Sequence, residues 1–211
     1  MSLQFHSLRV GVLEPLTPDA VRIVLEVPAE LGEAYRYIAG QHVTVRFEVQ
    51  DEQSGEISQL RRSYSLCAPP TEQAPRTLQI AVKRSVSGGF GDYAVRKLAV
   101  GDRLDTLTPT GRFRAYPEPG THHVAVVAGS GITPIYAILA DRLAHDANSR
   151  VSIVYGNRTT ADVMFRKDLA ELKARYGGRL NLLNVLSRED GGIPLLSGRI
   201  EIGRASCRER V

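Results

Sequence analysis

Four short stretches of this chain carry residue types that could do chemistry. Arg62-Ser63-Tyr64-Ser65 sets a guanidinium, a phenol ring and two hydroxyls on consecutive residues. In a strand, Arg62 and Tyr64 share one face and Ser65 turns to the other. An aromatic ring can stack on a flat heterocycle such as isoalloxazine, a guanidinium forks onto phosphate, and a hydroxyl or a backbone N–H can reach a flavin ring nitrogen. Taken alone, the tetrapeptide is equally an ordinary half-exposed strand. Lys83 to Asp92 (KRSVSGGFGD) reads as a glycine-rich turn opening a helix. Free amides and the helix dipole at such a turn favour an anion, a pyrophosphate for example. A flexible hairpin connection would look the same.

The third stretch is Gly129-Ser130-Gly131-Ile132-Thr133-Pro134, between an apolar run and a helical pattern. A dinucleotide pyrophosphate is expected at that junction. Gly129 and Gly131 let the backbone come close to phosphate, and Pro134 suits a first helical turn. The spacing is not GxGxxG. The fourth combines Tyr155-Gly156-Asn157-Arg158 with Ser187-Arg188, each following a candidate parallel strand. Open α/β sheets bind ligands at such carboxyl ends, and two arginines there could clamp a 2′-phosphate. Solvated loop arginines remain the alternative.

Two kinds of element must position these groups. Residues 7–13, 20–27, 41–49, 61–68, 77–83 and 103–107 read as strands, several alternating in polarity as in VRIVLEV. Turn formers separate them at residues 15–19, 28–32, 51–55 and 68–75. Six such strands predict an antiparallel barrel, with one short helix at 92–98. After a linker at Pro117–Gly120 the pattern changes. HVAVVA at 123–128 is a continuous apolar run of the kind found in buried parallel strands. A helix at 135–144, a strand at 151–155, a helix at 161–176 ended by Gly177-Gly178, and a strand at 180–186 follow. That alternation predicts a parallel α/β domain. The expected fold class is therefore two-domain, a six-stranded antiparallel β-barrel followed by a parallel α/β domain. The expected boundaries are 1–117 and 118–201.

Composition narrows the function classes. The 211 residues are 43% apolar and 24% charged, with a formal charge of +4. Ile202–Val211 (IGRASCRERV) breaks the preceding pattern and reads as a translated sequencing adapter, an assembly scar that makes Cys207 unnatural. Without those ten residues the balance is 24 basic against 22 acidic. That is too weak for a nucleic-acid partner. No run reaches the roughly 18 residues of a membrane span, and no export signal opens the chain, so a cytoplasmic location is expected. Two cysteines give no disulfide framework. None of His6, His42, His122, His123 and His145 sits in a metal-ligand or triad pattern, and no metal site is expected.

In this order and spacing the four stretches resemble the ferredoxin–NADP reductase superfamily. Ala39-Gly40-Gln41, Gly88–Tyr93, Gly101-Asp102, Gly111-Arg112-Phe113, AGSGITP, YGNRTTADVMF and LSRE carry the likeness. Within the superfamily, YGNRTTADVMF and VLSRE look most like the reductase subunits of phenylacetyl-CoA epoxidase complexes. Reductases of other ring-activating oxygenases and flavohaemoglobin modules are alternatives, as is a flavin electron-transfer subunit that does not use NADPH. The resemblance implies FAD and NADPH as cofactors, an oxygenase as partner, and hydride transfer from NADPH to flavin. It implies that Arg62 holds the FAD pyrophosphate, and that Tyr64 and Ser65 are the catalytic contacts on the isoalloxazine. Lys83 and Gly88, Gly89, Phe90 and Gly91 would support the FAD phosphates. Gly129, Gly131, Thr133 and Pro134 would bind the NADPH pyrophosphate, and Arg158, Ser187 and Arg188 its 2′-phosphate. Two departures stand out. Gly91 occupies a position where the family has Ser or Thr, and the later Cys-Gly-Pro segment and four-cysteine [2Fe–2S] domain are missing. The expectation is a protein truncated at Glu201 whose open third nucleotide-domain strand limits NADPH oxidation.

Overall fold

The computed structural model describes residues 3–50, 57–85, 89–115, 118–190, 192–193 and 196–200. Gly88, the turn at 51–55 and the segment 202–211 with Cys207 lie outside the described residues. The chain divides into two compact units, one of Met1–Pro117 with Thr133–Asp141, the other of Glu118–Ile132 with Arg142–Val211.

In the first unit six strands form one antiparallel sheet: β1 (Phe5–Thr17), β2 (Ala20–Glu26), β3 (His42–Gln50), β4 (Ile57–Ser65), β5 (Thr77–Lys83) and β6 (Arg103–Leu107). Their order is β4-β3-β6-β1-β2-β5. The two edges meet just past β4, where Leu66 bridges Ile80 and the Cys67 N–H donates to the Gln79 carbonyl at 2.9 Å. Closure removes the exposed edges that make open sheets sticky. The alternation read in the sequence becomes inside and outside. Leu8, Val10, Ile23, Leu25, Val43, Val45, Leu78 and Ile80 are all buried in one cluster. β1 runs through Pro15 to Thr17, past the expected turn, because Pro15 pairs with Val21 beside a register shift, the kind of irregularity that tolerates proline. The helix α1 (Phe90–Arg96) begins earlier than expected.

In the second unit β7 (His122–Ala128), β8 (Arg150–Asn157) and β9 (Leu180–Leu186) form a parallel sheet in the order β7-β8-β9. The helix α3 (Arg166–Tyr176) belongs to this unit, as do the two ends of α2 (Ile132–His145), whose residues Thr133–Asp141 fall in the first unit. β8 alternates cleanly, with Val151, Ile153 and Tyr155 buried. β7 differs from its expectation of burial on both faces. Val124 is 66% and Val126 53% exposed, and only Ala125 is buried. Both strand faces of a parallel sheet need a cover, and among the described residues the Val124 and Val126 face of β7 lacks it. The expected helix at 161–176 starts late, at Arg166. Thr159 and Asp162 make a capping box, and Phe165 takes a left-handed conformation (φ 58°). That turn sends Val163, Met164 and Phe165 inward, each at most 5% exposed. No helix among the described residues is long and apolar enough to cross a membrane.

Candidate functional site

In the first unit the structure joins two stretches that the sequence presents separately. Arg62 is exposed, while Tyr64 and Ser65 at the end of β4 are half-buried. The Tyr64 ring leans on Phe90, 5.5 Å between centroids at 48°. Phe90 in turn packs on Phe47 at 4.9 Å. The strand carrying Tyr64 and the glycine-rich turn thus share one aromatic cluster. Burial pushes the Tyr64 hydroxyl up to about 12, against a smaller opposing pull from Arg62. It stays a protonated donor at neutral pH.

The turn itself depends on its glycines. Gly89 precedes α1 at φ 83°, ψ −158°, a region open to little else, and its carbonyl accepts from the Asp92 and Tyr93 N–H groups. A Cβ on Gly91 would lie 2.5 Å from the Lys83 carbonyl oxygen. A side chain there would force α1 away from the end of β5. Lys83 is paired with Asp19, Nζ to Oδ1 at 3.4 Å, and the neighbouring Arg84 is the exposed cation at this turn. α1 has only seven residues, so amides and cations contribute more than a macrodipole. The Gly40 and Gly111 motifs meet nearby. A Cβ on Gly40 would fall 2.1 Å from the Phe113 carbonyl oxygen, and Gln41 Nε2 donates to the Gly111 carbonyl at 3.3 Å.

In the second unit β7 ends in a short 3-10 turn, Gly129–Gly131, that runs into α2. Gly129 has φ 51°, and a Cβ on either glycine would meet nothing within 4 Å. The space above the turn is open. Thr133 is buried at 4%, and Pro134 sits in the first turn of α2. The Tyr155 hydroxyl donates to the Gly129 carbonyl at 3.0 Å and fixes the turn.

The loops after β8 and β9 continue the sheet ladder. The Ser187 N–H donates to the Asn157 carbonyl at 2.9 Å and the Arg188 N–H to the Arg158 carbonyl at 2.8 Å. Arg158, Ser187 and Arg188 are thereby adjacent, and all three are exposed. Two carboxylates that the sequence reading passed over accompany them. Arg158 is ion-paired with Asp162. Glu189 accepts from the Thr160 N–H at 2.6 Å and from its hydroxyl at 2.8 Å. For Asp162 burial pushes upward, yet the bonds from Arg158 and Thr159 outweigh it and hold the carboxyl below its ordinary value. The Thr160 N–H and hydroxyl do the same for Glu189. The T-x-x-D spacing of Thr159 and Asp162 is a legible capping signal; Glu189 had no local signal. A groove of about 600 Å³ between α3 and strands β8 and β9, lined by Val154, Leu169, Lys173 and Leu183 among others, contains none of these residues.

An oxidoreductase FAD-binding domain model matches residues 7–115, and an oxidoreductase NAD-binding domain model matches residues 126–202. The chain belongs to the ferredoxin reductase family of FAD- and NAD-binding oxidoreductases. It is 41% identical over 199 residues to a subunit of the 1,2-phenylacetyl-CoA epoxidase of Escherichia coli, covering 93% of this chain and 53% of that protein. It is 33% identical over 186 residues to the ferredoxin reductase component of 3-ketosteroid-9-alpha-monooxygenase from Rhodococcus rhodochrous, covering 87% and 50%. The chain spans about half the length of these curated relatives. Its fold matches the flavohem-like FAD/NAD binding domain of nitric oxide dioxygenase from Vibrio cholerae, with a TM-score of 0.78 and 26% identity over 94% of this chain and 81% of that one. As in other ferredoxin reductases, an antiparallel barrel carries the FAD-binding domain and a parallel sheet the NAD-binding domain.

Proposed function

We propose that this protein takes electrons from NADPH into FAD and passes them through an iron–sulfur centre to an oxygenase, of the phenylacetyl-CoA epoxidase type. The observation that carries the reading is the 41% identity to the epoxidase subunit over 93% of this chain. Residues 1–117 are assigned to FAD and residues 118–201 to NADPH; the [2Fe–2S] centre belongs to a part of the protein other than these.

The residues present fit both cofactors. Tyr64 offers a ring braced by Phe90, with Ser65 beside it and the exposed Arg62 one step back on the strand. Arg62, Lys83 and the turn holding Gly88, Gly89, Phe90 and Gly91 would hold the FAD phosphates. Gly129, Gly131, Thr133 and Pro134 would hold the nucleotide pyrophosphate, the open space over both glycines admitting it. Arg158, Ser187 and Arg188 would take the 2′-phosphate, Arg158 by exchanging Asp162 for it. Bound flavin would supply the redox chemistry, accepting a hydride and releasing electrons singly. The side chains orient the rings and exclude water. The Asp162 pairing of Arg158 favours a second reading in which NADH serves as donor. No titrating group of the chain enters the reaction, and the oxygenase is a protein partner in the cytoplasm.

The test is reconstitution with FAD, followed by anaerobic stopped-flow mixing with NADPH and with NADH. Retained yellow colour with slow bleaching by NADPH is expected. Arg158→Ala should raise KM for NADPH and leave that for NADH. Protein that stays colourless with excess FAD would sink the proposal.

A further inference from the structure

Phe90 stands in the glycine-rich turn by its place in the sequence, yet its side chain is closed off from any cofactor. It is 1% exposed and belongs to the barrel core. The glycines on either side put it there. Gly89, at φ 83°, turns the chain into α1. Gly91 lies so close to the end of β5 that a Cβ would fall 2.5 Å from the Lys83 carbonyl oxygen. Held between them, Phe90 sends its ring inward, under the β3–β4 ladder. In that ladder Val43 pairs with Tyr64, Val45 with Arg62 and Phe47 with Leu60, so alternation puts Phe47, Arg62 and Tyr64 on one face. The Phe90 ring reaches both aromatic members of that face, Phe47 at 4.9 Å between centroids and Tyr64 at 5.5 Å. Among the described residues no other aromatic ring meets Tyr64.

Resting on the flavin reading of this unit, we propose that Phe90 is a positioning residue for the isoalloxazine ring. It does not meet the flavin and acts by fixing the plane of Tyr64. Stacking depends on the tilt and offset of the two rings. The outer torsion of a tyrosine is broad, so a half-buried phenol at a strand end keeps one plane only where something packs against it. Phe90 packs against it. The same residue opens α1, so a single side chain joins the turn assigned to the flavin phosphates to the ring assigned to the isoalloxazine. Any shift of the turn is thereby felt at Tyr64.

Riboflavin, which has the ring system and no phosphate, is titrated into the apo chain and followed by its fluorescence, with FAD alongside. Phe90→Leu should weaken riboflavin about five-fold where Tyr64 is present. In a Tyr64→Leu background the same change should alter riboflavin binding by less than about two-fold, since the side chain it acts through is gone. Flavin bound to the Phe90→Leu chain should also be brighter than flavin bound to the unaltered chain, because a loosened phenol quenches it less. Phe90→Met, a soft side chain that fills irregular gaps, is the second variant and should give the same pattern with a smaller loss of Tm. A purely structural role would give equal losses with and without Tyr64 and unchanged brightness. Either result in a folded variant, or full riboflavin affinity in both Phe90 variants, would overturn the positioning role alone. An unaltered chain that binds neither riboflavin nor FAD would remove the flavin assignment beneath it.

Discussion

The two sheets of this protein bury their residues by different means, and the contrast shows what each needs from its surroundings. The barrel closes on itself. Leu66 bridges Ile80 across its edges, and Leu8, Val10, Ile23, Leu25, Val43 and Val45 have essentially no exposure. The parallel sheet of the second unit depends on layers above and below it. Where the described residues supply a layer, Val151, Ile153 and Tyr155 are as buried as any barrel residue; on the other face Val124 and Val126 remain open. Apolar composition is thus a promise of burial that closure fulfils from within and a parallel sheet fulfils only through added elements.

The sharpest way to test that contrast is paired truncation. Ile23→Ala in the barrel should cost about 3 kcal/mol in urea unfolding, whereas Val126→Ala should stay within about 0.5 kcal/mol. Equal losses would break the distinction. Close backbone approach should matter nearly as much in the barrel. Gly91→Ser must move α1 from β5, at a cost of about 2 kcal/mol in chemical denaturation, whereas Gly131→Ser meets open space and should be nearly neutral. Next in size, Tyr64→Ala should lower FAD affinity about ten-fold while Tyr64→Phe keeps most of it, measured by flavin fluorescence quenching. In the second unit, Asp162→Ala removes both the cap and the Arg158 pair and should cost about 1 kcal/mol, while leaving FAD binding untouched.

The smallest effect is a pH dependence. The Asp162 and Glu189 carboxyls are both held below their ordinary values of 3.8 and 4.5. Their contribution is complete above those values and fades as pH falls through the lower folded-state ones. Acid should therefore loosen the loops after β8 and β9 before the barrel ladder. Hydrogen exchange at Thr160 and Arg188, compared with exchange in β2 at falling pH, reads this directly.

The sequence determined which elements form, because alternation, apolar runs and glycine-rich turns act over a few residues. It set the strand–helix order, the Arg62–Ser65 tetrapeptide and both glycine-rich turns. It also displayed the Thr159–Asp162 cap, whose meaning for Arg158 went unread. Tertiary structure alone decided what those elements meet. Phe90 braces Tyr64, Asp19 holds Lys83, Glu189 reaches Thr160, and Gly91 has no room for a hydroxyl, each through partners that local periodicity does not name. Alternation says which way a side chain points; only the packed chain says what stands there.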